Sequence, residues 1–177
     1  MRISSSLTAA AAALACAACA TTAMNAATAT AVLQTPTGAP AGVANLEQTA
    51  AGVRVRIDVV GLEPGVHGVH VHTTGRCDGR TETPFASAGG HFNPTGSEHG
   101  LNNPRGPHAG DLPNMTVAPD GTGSLEVTTE RFTIDAGEPT LFDADGAAIV
   151  VHATADDLVS DPAGDAGARV ACGVLRS

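Results

Sequence analysis

Histidines dominate the chemistry that this sequence offers, because six of its seven histidines fall into a pattern typical of metal ligands. Two of them, His70 and His72, lie in an alternating run with the period of a β-strand. Residues two apart project from the same face of a strand, so these two imidazoles converge on one point. Imidazole nitrogen is a good ligand for copper and zinc. The spacing therefore predicts a transition-metal site on one face of a strand.

Four further donors lie in one later stretch of the chain. They are His91, His99, His108 and Asp111. Three imidazole nitrogens and one carboxylate oxygen fit tetrahedral zinc, and with no vacant position such a zinc would be structural. The stretch that carries them, residues 76–111, is rich in Gly, Pro and Asn and is called the long loop below. Long loops of a compact domain are usually functional or disordered, and the concentration of donors here favours function.

A second set of nitrogens is completed by His152, which follows an apolar run. Together with His70 and His72 it offers three nitrogens, and a fourth from one of the loop histidines would suit the tetragonal geometry of copper. For any one histidine alone, a surface position or a hydrogen-bonded core position is the better interpretation. Six histidines with a matching aspartate in one chain argue against that interpretation.

Short strands are the elements predicted to position these donors. The 21 glycines and 11 prolines imply frequent turns, and no amphipathic helix is indicated after the N-terminal segment. Val53, Val55 and Ile57 alternate with charged residues, which is typical of a half-buried strand. Asp120-Gly121 predicts a tight hairpin turn. The predicted strands span residues 31–34, 42–48, 52–60, 65–72, 115–118, 123–129, 147–152 and 169–175. This pattern predicts an all-β domain, a sandwich or a barrel.

The N-terminal segment, residues 1–29, is predicted to be an export signal followed by a tether. Arg2 provides a positive start, and the Ala-rich apolar run over residues 7–20 ends in small residues and is too short for a transmembrane helix. The alternative is a disordered Ala-rich leader. Export would place residues 30–177, the predicted functional domain, in the periplasm or cell envelope.

Two cysteines of this segment are candidates for lipid attachment, which would anchor the chain to a membrane. Cys16 and Cys19 each follow small residues, as at a bacterial lipoprotein cleavage site, but neither has the preferred Leu three positions earlier. Lipid attachment at Cys16 or Cys19 and simple cleavage both stay open. A lipid would anchor the chain and leave the domain itself soluble.

Cys77 and Cys172 are the two cysteines of the domain. In an exported protein they are predicted to form one disulfide, and the alternative is two separate buried thiols. Closing a loop of that length stabilises the fold by about 4–5 kcal/mol, because it restricts the unfolded chain.

Five segments of the chain resemble the copper/zinc superoxide dismutases. They are Gly65-Val-His-Gly-Val-His-Val-His72, Ser87-Ala-Gly-Gly-His-Phe-Asn-Pro94, His108-Ala-Gly-Asp-Leu-Pro-Asn114, Val150-Val-His-Ala-Thr-Ala-Asp-Asp-Leu158 and Gly167-Ala-Arg-Val-Ala-Cys-Gly-Val174. They follow the family's order from about residue 31 to the C-terminus. The resemblance implies an eight-stranded Greek-key β-barrel or sandwich with two long functional loops. It also pairs Cys77 with Cys172, in a disulfide that anchors the long loop to the last strand.

The same resemblance implies one copper and one zinc per chain. Copper would be held by His70, His72, His91 and His152. Zinc would be held by His91, His99, His108 and Asp111. His91 would bridge both metals as an imidazolate, and Asp156 would link His70 to His99 and so couple the two sites. His67 matches a histidine that packs beside the copper strand without binding metal.

The implied activity converts superoxide to O₂ and H₂O₂ while copper cycles between Cu(II) and Cu(I), with zinc as a structural metal. His91 would leave copper on reduction, take up a proton and return it in the second half of the cycle. Arg169 matches the arginine beside the open copper position, where a fixed charge and a planar donor group suit a small anion. Arg169 and His91 are thus the predicted catalytic residues.

The charge distribution departs from what many family members show. The formal net charge is −9, which argues against nucleic-acid binding because that requires a basic surface. The chain has no lysine to draw the anion inward, and residues 153–168, called the late loop below, are acidic. Weak steering that rests on Arg169 and Arg105 is therefore expected. The late loop is shorter than in animal enzymes, which leaves the oligomeric state open between monomer and homodimer.

Two other functions compete with the enzyme. One is an exported copper/zinc buffer on the same scaffold without turnover, and the presence of Arg169 argues against it. The other is a blue-copper electron carrier, which needs a His₂Cys site with a weak axial ligand. The two cysteines of the domain are better used as a disulfide, so that hypothesis is rejected.

Overall fold

The computed structural model describes residues 26–177, and its secondary structure consists almost entirely of strands. These are β1 (Thr28–Gln34), β2 (Pro40–Thr49), β3 (Gly52–Val59), β4 (Gly65–His67), β5 (Val69–His72), β6 (Met115–Val117), β7 (Gly123–Thr129), β8 (Ala148–His152) and β9 (Arg169–Val174). Within the described range the single helical element is the 3-10 turn Ala86–Ala88. No helix of that range is long and apolar enough to cross a membrane. The all-β prediction is confirmed.

The strands form one antiparallel sheet that curls into a nearly closed barrel. Its order is β4-β6-β7-β3-β2-β1-β9-β8-β5, so the two end strands, β4 and β5, are consecutive in the chain. β6 and β7 are joined by the predicted hairpin, in which the Ala118 N–H donates to the Thr122 carbonyl at 2.7 Å. The first strand begins at Thr28, two residues before the domain start predicted at residue 30.

A break at Gly68 explains why the barrel has nine strands and not the predicted eight. The single predicted strand over residues 65–72 divides there, because β4 pairs with β6 while β5 pairs with β8. The Gly68 N–H donates to the Thr154 carbonyl at 2.8 Å, and the Gly68 carbonyl accepts the His152 N–H at 2.9 Å. A Cβ at Gly68 would lie 2.9 Å from the Ala166 Cβ. The late loop therefore packs onto the strand where the missing side chain leaves room.

The apolar residues form two clusters, one inside the barrel and one outside it. The inner cluster includes Val69, Val71 and Ile149, which alternate with residues facing outward. The outer cluster consists of Phe85, Ala88, Ala148, Val150 and Cys172, and it lies between the barrel wall and the long loop. Burial of these apolar side chains stabilises the packing of the loop against the sheet.

The predicted disulfide is confirmed. Cys77 and Cys172 are bonded, with their Cα atoms 5.7 Å apart, so the start of the long loop is tied to β9. The alternative of two separate thiols is excluded. A bond that closes a loop across 95 residues restricts the unfolded chain and contributes about 4–5 kcal/mol to stability.

Candidate metal centre

Two adjacent strands present histidines on the outer face of the barrel. His70 and His72 alternate along β5 with Val69 and Val71, whose side chains fill the core, and His152 ends the neighbouring strand β8. All three imidazoles are buried, because the long loop and the late loop cover this face. The rings of His70 and His152 have centroids 4.8 Å apart. The period of two in the sequence thus brings the predicted pair together with the third histidine.

Each of these three rings has one nitrogen fixed by a hydrogen bond. The His70 Nε2–H donates to Asp156 at 2.7 Å, the His72 Nδ1–H donates to the Gly89 carbonyl at 2.9 Å, and the His152 Nδ1–H donates to the Gly167 carbonyl at 3.1 Å. The other nitrogens are buried without a partner, as is one nitrogen of His91. These unpaired atoms are His70 Nδ1, His72 Nε2, His91 Nε2 and His152 Nε2.

Four unpaired buried nitrogens in one place fit a metal ion. One donor atom from each of the four rings lies within 4.8 Å of the other three. A buried acceptor without a hydrogen bond is unfavourable unless something else satisfies it, and a transition metal satisfies all four at once. Imidazole donors alone suit copper, so these residues fit the copper predicted from the sequence.

Burial keeps the rings of His70, His72 and His152 neutral. It lowers the pKa of His70 to about 3 and the pKa of His152 to about 4, and it holds the pKa of His72 well below its ordinary value. A neutral imidazole has a free lone pair on the nitrogen that does not carry the proton. The rings are thus ready to bind a cation throughout the physiological pH range.

The long loop reaches this face by pairing with the free edge of β5. The Val71 N–H donates to the Gly110 carbonyl at 2.9 Å, and the Phe92 N–H donates to the Val71 carbonyl at 2.8 Å. Gly110 is required at this contact, because a Cβ there would lie 2.2 Å from the Val71 carbonyl oxygen. The pairing sets His91 opposite His72 and Asp111 opposite His70.

A second donor cluster surrounds one oxygen of Asp111. The Asp111 Oδ1 lies 2.9 Å from the His91 Nδ1, 3.1 Å from the His99 Nδ1 and 3.4 Å from the His108 Nδ1. The His91 and His108 Nδ1 atoms are 3.4 Å apart. Ligands bonded at about 2.0–2.1 Å to a tetrahedral zinc are separated by roughly 3.4 Å. These four residues therefore fit zinc.

His70 also lies close to this second cluster, and its hydrogen bond decides where it belongs. One donor atom of His70 is within 4.8 Å of donor atoms of His91, His99 and Asp111. The His70 Nε2, however, is engaged by Asp156, and its unpaired nitrogen is Nδ1. His108 therefore completes the second cluster, and His91 is the residue common to both.

Asp111 is oriented through its other oxygen. Its Oδ2 accepts the Gly100 N–H at 2.9 Å and the His108 N–H at 3.0 Å, which leaves Oδ1 to face the rings. Burial by itself would raise the pKa of Asp111, but the hydrogen bonds from His91 and His99 outweigh it and hold the pKa well below its usual range. The carboxylate is therefore charged at neutral pH, as a metal ligand must be.

Asp156 links the two clusters. Its Oδ2 lies 2.7 Å from the His70 Nε2 and its Oδ1 lies 3.0 Å from the His99 Nε2. The side chain of Asn114 binds both the N–H and the carbonyl of Asp156, each at 2.8 Å. Gly164 covers the link, since a Cβ there would be 1.9 Å from the Asp156 Oδ1. The carboxylate is thus held from three sides.

His99 lies between two carboxylates, and this changes its charge. Burial lowers the pKa of His99, but the hydrogen bonds to Asp111 and Asp156 overcome that effect and raise the pKa to about 9. In the absence of metal, this ring is an imidazolium at neutral pH. Its proton on Nδ1 faces Asp111, the position that a cation would take.

Arg169 connects the long loop to β9 beside the first cluster. Its Nη1 donates to the Phe85 carbonyl at 2.6 Å and its Nη2 donates to the Gly89 carbonyl at 2.7 Å. The Gly89 carbonyl also accepts from His72, so one oxygen orients both the arginine and a histidine of the first cluster. Burial lowers the pKa of Arg169, yet an arginine stays charged at any physiological pH.

Two other residues singled out in the sequence lie away from these clusters. The ring nitrogens of His67 face the carbonyls of His152 and Glu63 at 2.6 and 2.9 Å. Arg105, expected to help in steering, forms an ion pair with Glu98 on the surface. The positive charge of Arg105 is therefore largely neutralised.

Several residues that build the site had no signal of their own in the sequence. Gly89 acts through its carbonyl, Gly164 through the lack of a side chain, and Asn114 through the backbone of a residue 42 positions later. Gly89 and Asn114 lie inside two of the quoted motifs, Ser87–Pro94 and His108–Asn114, which could have pointed to them. Gly164 lies outside the motifs and depends on contacts that no local pattern encodes.

Comparison with known proteins agrees with this geometry. The model of the copper/zinc superoxide dismutase family matches residues 40–175. A copper/zinc superoxide dismutase of Aquifex aeolicus is 45% identical over 137 residues, which cover 76% of this chain and 78% of the relative. The structure of a superoxide dismutase-like protein from Bacillus subtilis matches with a TM-score of 0.76 and 35% identity, over 83% of this chain and 97% of that one.

The copper/zinc superoxide dismutase of Brucella abortus is a further structural match. It has a TM-score of 0.68 and 30% identity, over 85% of this chain and all (100%) of that chain. The family model and the Aquifex relative each cover most of this sequence, and the residues that the family model matches include both donor clusters. The chain belongs to the copper/zinc superoxide dismutase family.

Proposed function

We propose that this protein is a superoxide dismutase that binds one copper and one zinc per chain. The observation that carries the proposal is the set of four unpaired buried ring nitrogens, which shares His91 with a tetrahedral donor set around Asp111. His91 offers one ring nitrogen to each donor set, so the two sets together suit two metal ions. Superoxide is the substrate proposed for the copper side.

The ligands are assigned from the donor atoms. Copper is held by His70, His72, His91 and His152, and zinc is held by His91, His99, His108 and Asp111. Asp156 acts on both sides, since it fixes the ring orientation of one copper ligand and one zinc ligand. Partners of this kind usually change metal affinity when they are removed.

Bound copper would supply a one-electron couple that oxidises one superoxide to O₂ and reduces the next, with two protons, to H₂O₂, while zinc has no redox chemistry. His91 is the ring suited to move a proton in this cycle. Its Nδ1 lies in the zinc cluster and its Nε2 points into the copper cluster, where it has no other partner. A proton held at Nε2 is therefore next to the position where the reduced product needs it.

Arg169 is the group proposed to bind the anion. Two main-chain carbonyls fix its guanidinium, and one of them, the Gly89 carbonyl, also accepts from His72, so the positive charge lies beside that ring. A preoriented guanidinium attracts a small anion without loss of side-chain freedom on binding. A metal buffer would have no use for this group, which disfavours the alternative without turnover.

The N-terminal region and the assembly complete the proposal. Residues 1–29, of which residues 1–25 lie outside the described range, are assigned as export signal and tether, with residues 30–177 as the enzyme. The enzyme then works in the periplasm or cell envelope, either soluble or held by a lipid at Cys16 or Cys19, as a monomer or a homodimer. Intact mass and sedimentation of the exported protein distinguish these forms.

The direct test is superoxide dismutation per bound copper by the oxidised protein loaded with both metals. We expect rapid turnover, and Arg169→Ala should lower kcat/KM by about 10- to 100-fold, which corresponds to the loss of a charged hydrogen bond of about 1.5–3 kcal/mol. Arg169→Lys keeps the positive charge, so its kcat/KM should fall less than that of Arg169→Ala. Arg176→Ala, an exposed arginine near the end of the same strand, is the control. Tight copper binding without turnover would establish the buffer instead.

The rate should depend weakly on salt. Arg105 is paired with Glu98, and the late loop carries Asp157, Asp161 and Asp165 on its exposed surface. Long-range attraction of the anion is then small, so added salt has little attraction to screen. The test is the rate constant of superoxide loss after a pulse of superoxide, measured from low to high ionic strength. A steep fall in rate with salt would mean that another group draws the substrate in.

Replacing Gly164 should weaken both metal sites. A Cβ at this position collides with the Asp156 carboxylate and the His99 Nε2, so Gly164→Ala must break the link between the clusters. We expect the affinity for copper and zinc to fall by about 10- to 100-fold. Gly61→Ala is the matched control, because Gly61 has a similar φ of 68° with no atom within 4 Å. Metal affinities of Gly164→Ala equal to those of Gly61→Ala would contradict this expectation.

Zinc binding to the copper-free protein should strengthen as the pH rises. The folded pKa of His99 is raised to about 9, above its ordinary value, so the protonated ring stabilises the metal-free fold fully below about pH 6.5. That contribution is lost as the pH rises through about 9. Zinc must displace the proton from Nδ1, so its affinity should rise about tenfold per pH unit from about 7 to 9. Chelator competition measures this, and an affinity independent of pH would be incompatible with a protonated His99.

A further inference from the structure

A second partly buried arginine, Arg131, reaches the zinc side of the centre. It follows β7, and its side chain extends to a segment of the long loop about 20 residues earlier in the chain. The Arg131 Nε donates to the Ala109 carbonyl at 3.3 Å, and its Nη2 donates to the Asp111 carbonyl. One guanidinium therefore holds the main chain on both sides of Gly110.

This arrangement differs from that of most other arginines in residues 26–177. Arg54, Arg56, Arg76 and Arg105 form ion pairs with carboxylates on the surface. Arg131 binds only carbonyl oxygens, and burial lowers its pKa while the charge of Asp111 raises it. A partly buried charge without a paired carboxylate is costly, and the hydrogen bonds to the carbonyls of Ala109 and Asp111 offset this cost.

The segment that Arg131 binds is fixed on its other side by β5. The Gly110 carbonyl accepts the Val71 N–H and the Gly110 N–H donates to the Phe92 carbonyl, at 2.9 and 2.8 Å. The peptides around Gly110 thus lie between a strand edge and a guanidinium. The side chain of Asp111 starts from this clamped backbone, and the direction of its carboxylate depends on it.

The carboxylate itself must divide its two oxygens between different partners. Oδ2 accepts two main-chain N–H groups of the long loop, and Oδ1 faces three imidazole nitrogens at 2.9–3.4 Å. A rotation of the Asp111 backbone would exchange these roles or pull Oδ1 away from the rings. Arg131 is the side chain whose hydrogen bonds oppose such a rotation from outside the loop.

We propose that Arg131 is a positioning residue for the zinc ligand Asp111, which it orients through the carbonyls of Ala109 and Asp111. The proposal rests on the assignment of Asp111 as a zinc ligand in the proposed function. Arg131 forms its hydrogen bonds with main-chain carbonyls and not with the donor atoms themselves, so it acts through the backbone. Its effect belongs to the zinc side, because the copper-side rings have their own partners at Gly89, Gly167 and Asp156.

The experiment compares Arg131→Met and Arg131→Lys with the wild type. Methionine removes the donors and the charge but keeps an unbranched stem, whereas lysine keeps the charge and donates from a single nitrogen. Arg54→Met is the control, since Arg54 is an exposed arginine on β3 that pairs with Glu47. The readouts are the zinc Kd of the copper-free protein from chelator competition, the absorption spectrum of Co²⁺ in the zinc site, and the copper Kd.

We expect Arg131→Met to raise the zinc Kd by about 10- to 100-fold and to alter the Co²⁺ spectrum, with the copper Kd close to that of the wild type. The zinc Kd of Arg131→Lys should lie between those of the wild type and Arg131→Met. The zinc Kd of Arg54→Met should equal that of the wild type. The increase in Tm on zinc addition should shrink in Arg131→Met, because weaker binding stabilises the folded state less.

An unchanged zinc Kd and Co²⁺ spectrum in Arg131→Met, with equal loss of Tm in the presence and absence of zinc, would reduce Arg131 to a structural tie. Should Arg131→Met fail to fold, Arg131→Lys decides by the same readouts, and a wild-type zinc Kd there overturns the proposal. If the wild type failed to bind zinc, or if Co²⁺ bound to it gave no tetrahedral absorption bands, the assignment of Asp111 as a zinc ligand in the proposed function would be refuted instead.

Discussion

Burying imidazole rings together with carboxylates is unfavourable unless each polar atom has a partner, and this requirement organises the molecule. Six imidazoles and the carboxylates of Asp111 and Asp156 are buried on the outer face of the barrel. Most of their nitrogens and oxygens are satisfied by main-chain groups or by one another. The four nitrogens that are not satisfied lie together. What the fold leaves open is thus a site shaped for a cation.

The long loop and the late loop cover the six imidazole rings, because the outer face of a barrel by itself would leave them exposed to solvent. The long loop pairs with the free edge of β5 and so removes an exposed strand edge while it delivers His91 and Asp111. The late loop packs at Gly68 and brings Asp156 between the rings of His70 and His99. The pairing that covers the edge of β5 therefore also completes the donor clusters.

Fixed positive charges hold the long loop at two places. Arg169 binds carbonyls at residues 85 and 89, and Arg131 binds carbonyls at residues 109 and 111. The disulfide of Cys77 with Cys172 adds a covalent tie at the start of the loop. These ties hold in place the short segments from which metal ligands project. A loop rich in glycine and proline can in this way have the precision of a strand at the few positions where geometry matters.

The sequence by itself determined the all-β fold, most of the strands and the residues that could bind metal, because these depend on local periods and on residue type. The alternation at His70 and His72 encodes a common face, and a hairpin such as Asp120-Gly121 is encoded by two residues. The tertiary structure decided the break at Gly68, which depends on the late loop packing against it. It also decided the neutralisation of Arg105 by Glu98 and the contact of Arg131 with the long loop. These features join residues that are far apart in the chain or act through backbone atoms, and no spacing of side chains records them.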